Sequence, residues 1–144
     1  MSVSSVVTAL QTLHSGISGV KAAPTALSGY FDTAKLPLVW THPGPTPVGG
    51  GWAQSADLRT YDRTYIVRCL VMPEGQGRGL DEGYQAALAL IQRFGDAYLA
   101  SYNLSGAIAH FVRIEDSGVA MLDQGQVKYH GFEFRLTVRE KVSA

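Results

Sequence analysis

The sequence predicts an α+β fold: a two-layer sandwich in which a mostly antiparallel four-stranded sheet carries two helices on one face. The elements run helix, strand, strand, helix, strand, strand. Three observations lead there. Apolar residues recur at three-four spacing near the N-terminus and again over residues 80–100, a helical period. Elsewhere they alternate with polar residues, most cleanly from Phe132 to Arg139, which is the period of a strand. Glycine- and proline-rich punctuation separates these segments. With 144 residues the chain reads as a single domain, 1–144. Its 46% apolar and 17% charged residues are too apolar and too weakly charged for a disordered tail.

The first helix is expected over residues 3–15, with Val3, Val6, Val7, Leu10 and Leu13 inward and Ser5, Thr8, Gln11 and Thr12 on the wet side. Ser2 is a candidate N-cap, and Gly16 and Gly19 end the helix. After a loop-like stretch, Leu36 to Thr41 reads as a short strand. Pro37, lacking an amide donor, marks its start or an edge. Residues 43–57 hold three prolines and four glycines and read as a loop, too long to be idle in a compact domain. A long strand from about Arg59 to Met72 follows, apolar on both faces toward its end, which calls for a central strand or a covered second face.

Pro73 stops that strand, and Glu74 to Gly79 forms a turn tip. The second helix begins at Asp81 or its neighbour, where Asp81 and Glu82 suit the positive end of the helix dipole. It runs to about Ala100 with Tyr84, Ala87, Leu88, Ile91, Phe94 and Tyr98 as its stripe. Gly83 and Gly95 either weaken it or admit a close neighbour. A strand around Ile108 to Ile114 comes next, then a hairpin-like excursion with a short strand at Val119 to Leu122. In the closing strand Phe132, Phe134, Leu136 and Val138 oppose Glu133, Arg135, Thr137 and Arg139, and Gly131 marks a bulge or close approach.

Signals for chemistry are sparse. Lys plus Arg and Asp plus Glu each count 12, so no strong positive field draws in nucleic acid. The single cysteine, Cys69, sits in an apolar run and reads as a small buried hydrophobe. A soluble protein of a reducing compartment is expected, with no leader and no apolar span of about 18 residues for a membrane. His14, His42, His110 and His130 form no near-neighbour ligand pair, so no metal site and no cofactor is expected. Gly75 to Gly79 lacks the lysine and hydroxyl of a phosphate-binding loop. A thiol triad of Cys69, His42 and Asp62 would need an exposed nucleophile, and Cys69 is mid-strand. Arg59 and Arg63 interleave with Tyr61 and Tyr65 on one strand face. With Asp57 and Asp62 offsetting their charge, that row fits a protein interface better than a nucleic-acid surface.

The chain resembles the tail terminator family of long-tailed bacteriophages. The resemblance rests on the N-terminal helix, the Leu36-Pro-Leu-Val-Trp40 strand, the Tyr61 to Met72 strand and the alanine-rich helix from Leu80. Above all it rests on the closing Tyr129-His-Gly-Phe-Glu-Phe-Arg-Leu-Thr-Val138. It implies a structural, non-catalytic protein without cofactors, located at the virion neck and assembled in the host cytoplasm. Six copies would form a ring that caps the tail tube and ends its polymerisation. The ring would contact tube protein below and a head-completion or connector protein above, with DNA passing through the lumen unread. The family has no compact motif whose residues carry over by identity.

A ring of one chain needs heterologous contacts. Candidate interface residues are Trp52, a large side chain in a glycine-rich loop with little local core to enter, and the row Arg59, Tyr61, Arg63 and Tyr65. Candidate lumen residues are Glu133, Arg135, Thr137 and Arg139, because mixed charge lets DNA slide where a basic wall would hold it. Rival readings are another neck or tail-completion component, a small enzyme with a site near His42 or Cys69, and a nucleic-acid-binding module on the arginine-tyrosine row.

Overall fold

The computed structural model describes residues 3–25, 35–44, 48–54, 58–73, 80–125 and 127–143. Two helices, α1 (Val3–Ser15) and α2 (Leu80–Ala100), accompany six strands among these residues. The strands are β1 (Leu38–Pro43), β2 (Val48–Gln54), β3 (Leu58–Pro73), β4 (His110–Asp116), β5 (Ala120–Gln124) and β6 (Val127–Ser143). Ser2 and the Glu74 to Gly79 tip lie outside the described residues.

β3 and β6 form the spine, paired antiparallel from Leu58↔Ser143 to Pro73↔Tyr129. β1 lies beside the later half of β3 (Leu38↔Leu70 to Pro43↔Tyr65), and β2 continues along its earlier half (Val48↔Asp62 to Gln54↔Arg59). β5 and β4 likewise share the far edge of β6, the first against residues 127–131 and the second against residues 134–139. The sheet therefore has six strands but is four positions wide, each outer position being filled by two strands end to end. All named pairings are antiparallel, and the expected two-layer α+β architecture holds.

The loop expected over residues 43–57 is corrected in its middle: Val48–Gln54 is a strand. A run of glycines carries no alternation to read. It can still hydrogen-bond edge to edge, and β3 is long enough to leave an edge for it. Residues 45–47 and 55–57 lie outside the described ones.

The principal core forms where the helices meet the sheet. Val6 and Leu10 of α1, Ala87, Leu90, Phe94 and Tyr98 of α2, and Tyr65, Val67, Cys69, Phe132, Phe134, Leu136 and Val138 of the spine are all buried. Phe94 is its centre, stacked on His14 at 5.3 Å and on Phe134 at 6.0 Å, and edge-on to Phe132 at 5.2 Å. The α2 stripe is displaced from its expected position, however. Leu90 is buried, whereas Tyr84 and Leu88 are exposed at 47% and 44%.

The covered second face expected near the end of β3 is present too. Leu38, Leu70, Leu122 and Tyr129 cluster on the side of the sheet away from the helices, with Leu36 and Ala22 from the connection into β1 packed on them. Gly131 lies at the close approach foreseen for it. A Cβ there would collide with the Cys69 carbonyl oxygen, beside an irregularity in the β3–β6 register between Leu70 and Met72. Gly83 similarly makes room for the buried ring of His130, whereas a Cβ at Gly95 would meet nothing.

One polar network is enclosed in this core. Gln11, assigned to the wet side of α1 by its polarity, is 2% exposed. Its Nε2 donates to Pro24 O at 2.6 Å and Val39 O at 2.9 Å, and its Oε1 accepts from Thr41 Oγ1 at 2.7 Å. That same Oε1 lies 2.8 Å from His14 Nδ1, while His14 Nε2 lies 2.7 Å from the Tyr98 hydroxyl. An amide oxygen only accepts, so His14 carries its proton on Nδ1 and accepts from Tyr98 at Nε2. The network joins α1, β1 and α2.

Candidate functional site: the open sheet face

Alternation along β3 and β6 divides their side chains between two environments. Tyr65, Val67 and Cys69 of β3 and Phe132 to Val138 at even positions of β6 face the helices. On the other side, Asp62, Thr64, Ile66 and Arg68 lie opposite Arg139, Thr137, Arg135 and Glu133. The four candidate lumen residues thus share one face, the one the helices leave uncovered. Trp40 and His42 extend this face on the β1 side, with rings 4.9 Å apart, and Glu115 extends it on the β4 side.

Its charges are mostly paired. Arg139 grips Asp62 with two bonds, Nε to Oδ1 at 2.8 Å and Nη2 to Oδ2 at 3.0 Å. That hydrogen bond and charge raise the Arg139 guanidinium further above its usual range. Arg68 Nε donates to Glu133 Oε2 at 3.3 Å and its Nη1 to Asp123 O at 2.8 Å. Arg113 and Glu115 pair at 3.4 Å. Arg135 is exposed and has no acidic partner among the described residues. Thr137, expected in the lumen row, is 7% exposed and presents little surface. Between the rows lies a groove of about 510 Å³ bordered by His42, Arg68, Glu115, Asp116, Glu133 and Arg135. Three carboxylates and two guanidiniums leave its sum near zero, so it offers no uniform field to an ion of either sign.

The candidate interface row fares differently. Of that row, Arg63 and Tyr65 lie on the face of β3 toward the helices. Tyr65 is fully buried in the core, which is a correction, since it has no surface to offer another chain. Its hydroxyl donates to Glu140 Oε1 at 2.6 Å, and Arg63 Nε stands 3.7 Å from Glu140 Oε2 with the Arg63 side chain 11% exposed. Glu140, 0% exposed, is the residue that sequence reasoning missed. It continues the inward parity of Phe132 to Val138, and a carboxylate on an otherwise apolar row was the available signal for a buried partner. The side chains of Arg59, Tyr61 and Trp52 lie outside the described ones, although β2 places Trp52 on a strand at the edge of β3.

Arg63→Met is expected to lower the unfolding free energy by about 3 kcal/mol, because it leaves the Glu140 carboxylate buried without its cation. The double variant Arg63→Met with Glu140→Leu should recover most of that loss in urea unfolding. An additive double variant would show that the two groups do not act as a pair.

No group of three His, Cys, Asp or Glu side chains comes together to hold a metal among the described residues. The imagined thiol triad is not assembled either. Cys69 faces the helices while His42 and Asp62 register on the open face, and burial pushes the Cys69 thiol well above its ordinary range. No helix of the described residues is long and apolar enough to cross a membrane. No protein-family model matches the chain, and no curated protein matches it.

Proposed function

We propose that this chain is a structural ring protein of a phage tail, one that caps the tail tube, ends its polymerisation and presents the surface to which the head joins. The resemblance in element order and in the closing Tyr129 to Val138 strand supports this reading. The observation that carries it is the open face of the sheet, where Asp62–Arg139, Arg68–Glu133 and Arg113–Glu115 cancel one another. A conduit for DNA must attract the phosphate backbone too weakly to hold it, since every uncompensated cation adds a salt-dependent grip. In this reading the face lines the passage of a ring, with Arg135 and Arg139 toward the lumen.

The ring is a hexamer in the virion neck, assembled in the host cytoplasm, with tube protein below and a connector or head-completion protein above. No catalysis and no cofactor enter the proposal. Adding the purified chain to polymerising tube subunits and measuring tube lengths by electron microscopy tests it. Growth should stop, with a ring of extra density at one end of each tube. Unchanged lengths and bare ends would contradict the capping role.

A further inference from the structure

His130 of β6 stands between two methionines. The chain has three, and both internal ones, Met72 of β3 and Met121 of β5, register directly on His130, one from each side. Directly opposed residues of an antiparallel pair share a face, with Cβ atoms about 5 Å apart. Met72, His130 and Met121 therefore make one row across three strands. The row lies on the helix side of the sheet, since the His130 ring sits beneath Gly83 of α2 and Met72 packs on the principal core. It opens toward the β5 edge: His130 is 6% exposed, Met72 is half-buried and Met121 is 41% exposed.

The imidazole in the middle of this row has an unmet requirement. A buried ring nitrogen ordinarily has a hydrogen-bond partner, and an exception points to water or an ion. Among the described residues no side chain or backbone group hydrogen-bonds to the His130 ring. The flanking thioethers do not meet that need, being weak acceptors with no proton to give. They do serve as soft metal ligands. A Cβ at Gly83 would stand 2.5 Å from Cδ2 and 3.0 Å from Nε2 of the ring, so Nδ1 is the nitrogen farther from the helix. An ion on Nδ1 comes within reach of both sulfurs, each two bonds beyond its own Cβ.

The donor set selects the ion. Two thioethers and an imidazole are neutral ligands that suit Cu(I), whereas Mg²⁺ and Ca²⁺ take oxygen. No carboxylate in the row offsets a second positive charge. The next cross-strand pair, Asp123 with Lys128, contributes one charge of each sign, and the buried Phe132 bounds the row on its other side.

We propose that Met72, His130 and Met121 form a binding site for a soft monovalent cation, held by Nδ1 of the imidazole and the two thioether sulfurs. Cu(I) is the biological ion of that class. Binding displaces water from the ring nitrogen, changes no oxidation state, and ties β3, β6 and β5 together at the start of α2. The site lies within one chain and does not depend on the ring reading.

Silver(I), a redox-inert ion of the same charge and softness, is the probe. In a chain labelled with ¹³C at the methionine methyls, the Met72 and Met121 signals should move together and saturate at one equivalent, with Met1 unmoved. The unfolding midpoint should rise with added silver. Met121→Leu, at an exposed position, should leave the midpoint of the metal-free chain unchanged and weaken silver binding about tenfold or more. His130→Gln should abolish the shift of both methyls. Methyl signals that stay in place at one equivalent would overturn the proposal, as would a Met121→Leu chain that binds like wild type. Binding lost in Cys69→Ala but kept in Met121→Leu would assign the ion to the thiol and equally overturn it. Displacement of the silver by an equal concentration of Zn²⁺ would contradict the soft-donor site.

Discussion

Gln11→Leu is expected to lower the unfolding free energy by about 4 kcal/mol, although the two side chains are close in volume. The amide uses all four of its hydrogen-bonding positions, on Pro24 O, Val39 O, Thr41 Oγ1 and His14 Nδ1. Leucine fills the space and answers none of them. A buried donor or acceptor left alone costs about 1–3 kcal/mol, and the losses overlap because the groups share one centre. Chemical denaturation of wild type and variant checks this. A loss under about 1 kcal/mol would mean that water enters and replaces the amide. The variant should also loosen α1 selectively, seen as faster hydrogen exchange there than in β3 and β6, because Gln11 ties the helix to β1.

The same network is expected to make the fold acid-sensitive. Burial lowers the His14 pKa from 6.5 to about 3. The folded state therefore keeps His14 neutral while the unfolded chain takes up a proton below pH 6.5. Stability from this group is complete above pH 6.5 and falls by up to ~1.4 kcal/mol per pH unit as the pH drops toward about 3. The carboxylates add their own acid dependence, so the measurement is a difference. A His14→Leu chain should be less stable than wild type at pH 7, where Tyr98 loses its acceptor, and should show the shallower decline between pH 6.5 and 4. Parallel slopes for the two chains would contradict a neutral, buried His14. Tyr98 is affected from the opposite direction, its hydroxyl held protonated by burial and by its proximity to Cys69, and that keeps it the donor throughout this range.

How much was legible in the sequence depends on whether an element announces itself through side-chain period. α1 and α2 fall where the three-four spacing places them, and β3 and β6 span their predicted segments with a residue or more added at each end. The short strand expected at Val119 to Leu122 is β5, shifted slightly. β2 was invisible because Gly49 to Gly51 have no side chains to alternate; its existence depends on an edge of β3 that only tertiary structure creates. Gln11 was misplaced for the converse reason, that polarity alone says water, whereas four hydrogen-bond partners, three of them buried, make an interior position favourable. The open face was legible from the parity of Glu133, Arg135, Thr137 and Arg139, but not the cross-strand partners that neutralise it. Asp62 and Arg139 are 77 residues apart. Arginine and tyrosine on one strand suggested a surface; Arg63 and Tyr65 instead serve Glu140, which the sequence places 75 residues beyond Tyr65.

The central claim is that this domain uses its exposed surfaces to join copies of itself around a passage. Native mass spectrometry of the purified chain, alone and with tube protein, tests it most directly. The account predicts one closed stoichiometry, a hexamer, either from the chain alone or on addition of tube ends, with no ladder of intermediate sizes. A monomer under both conditions, or an open-ended series of masses, would contradict it.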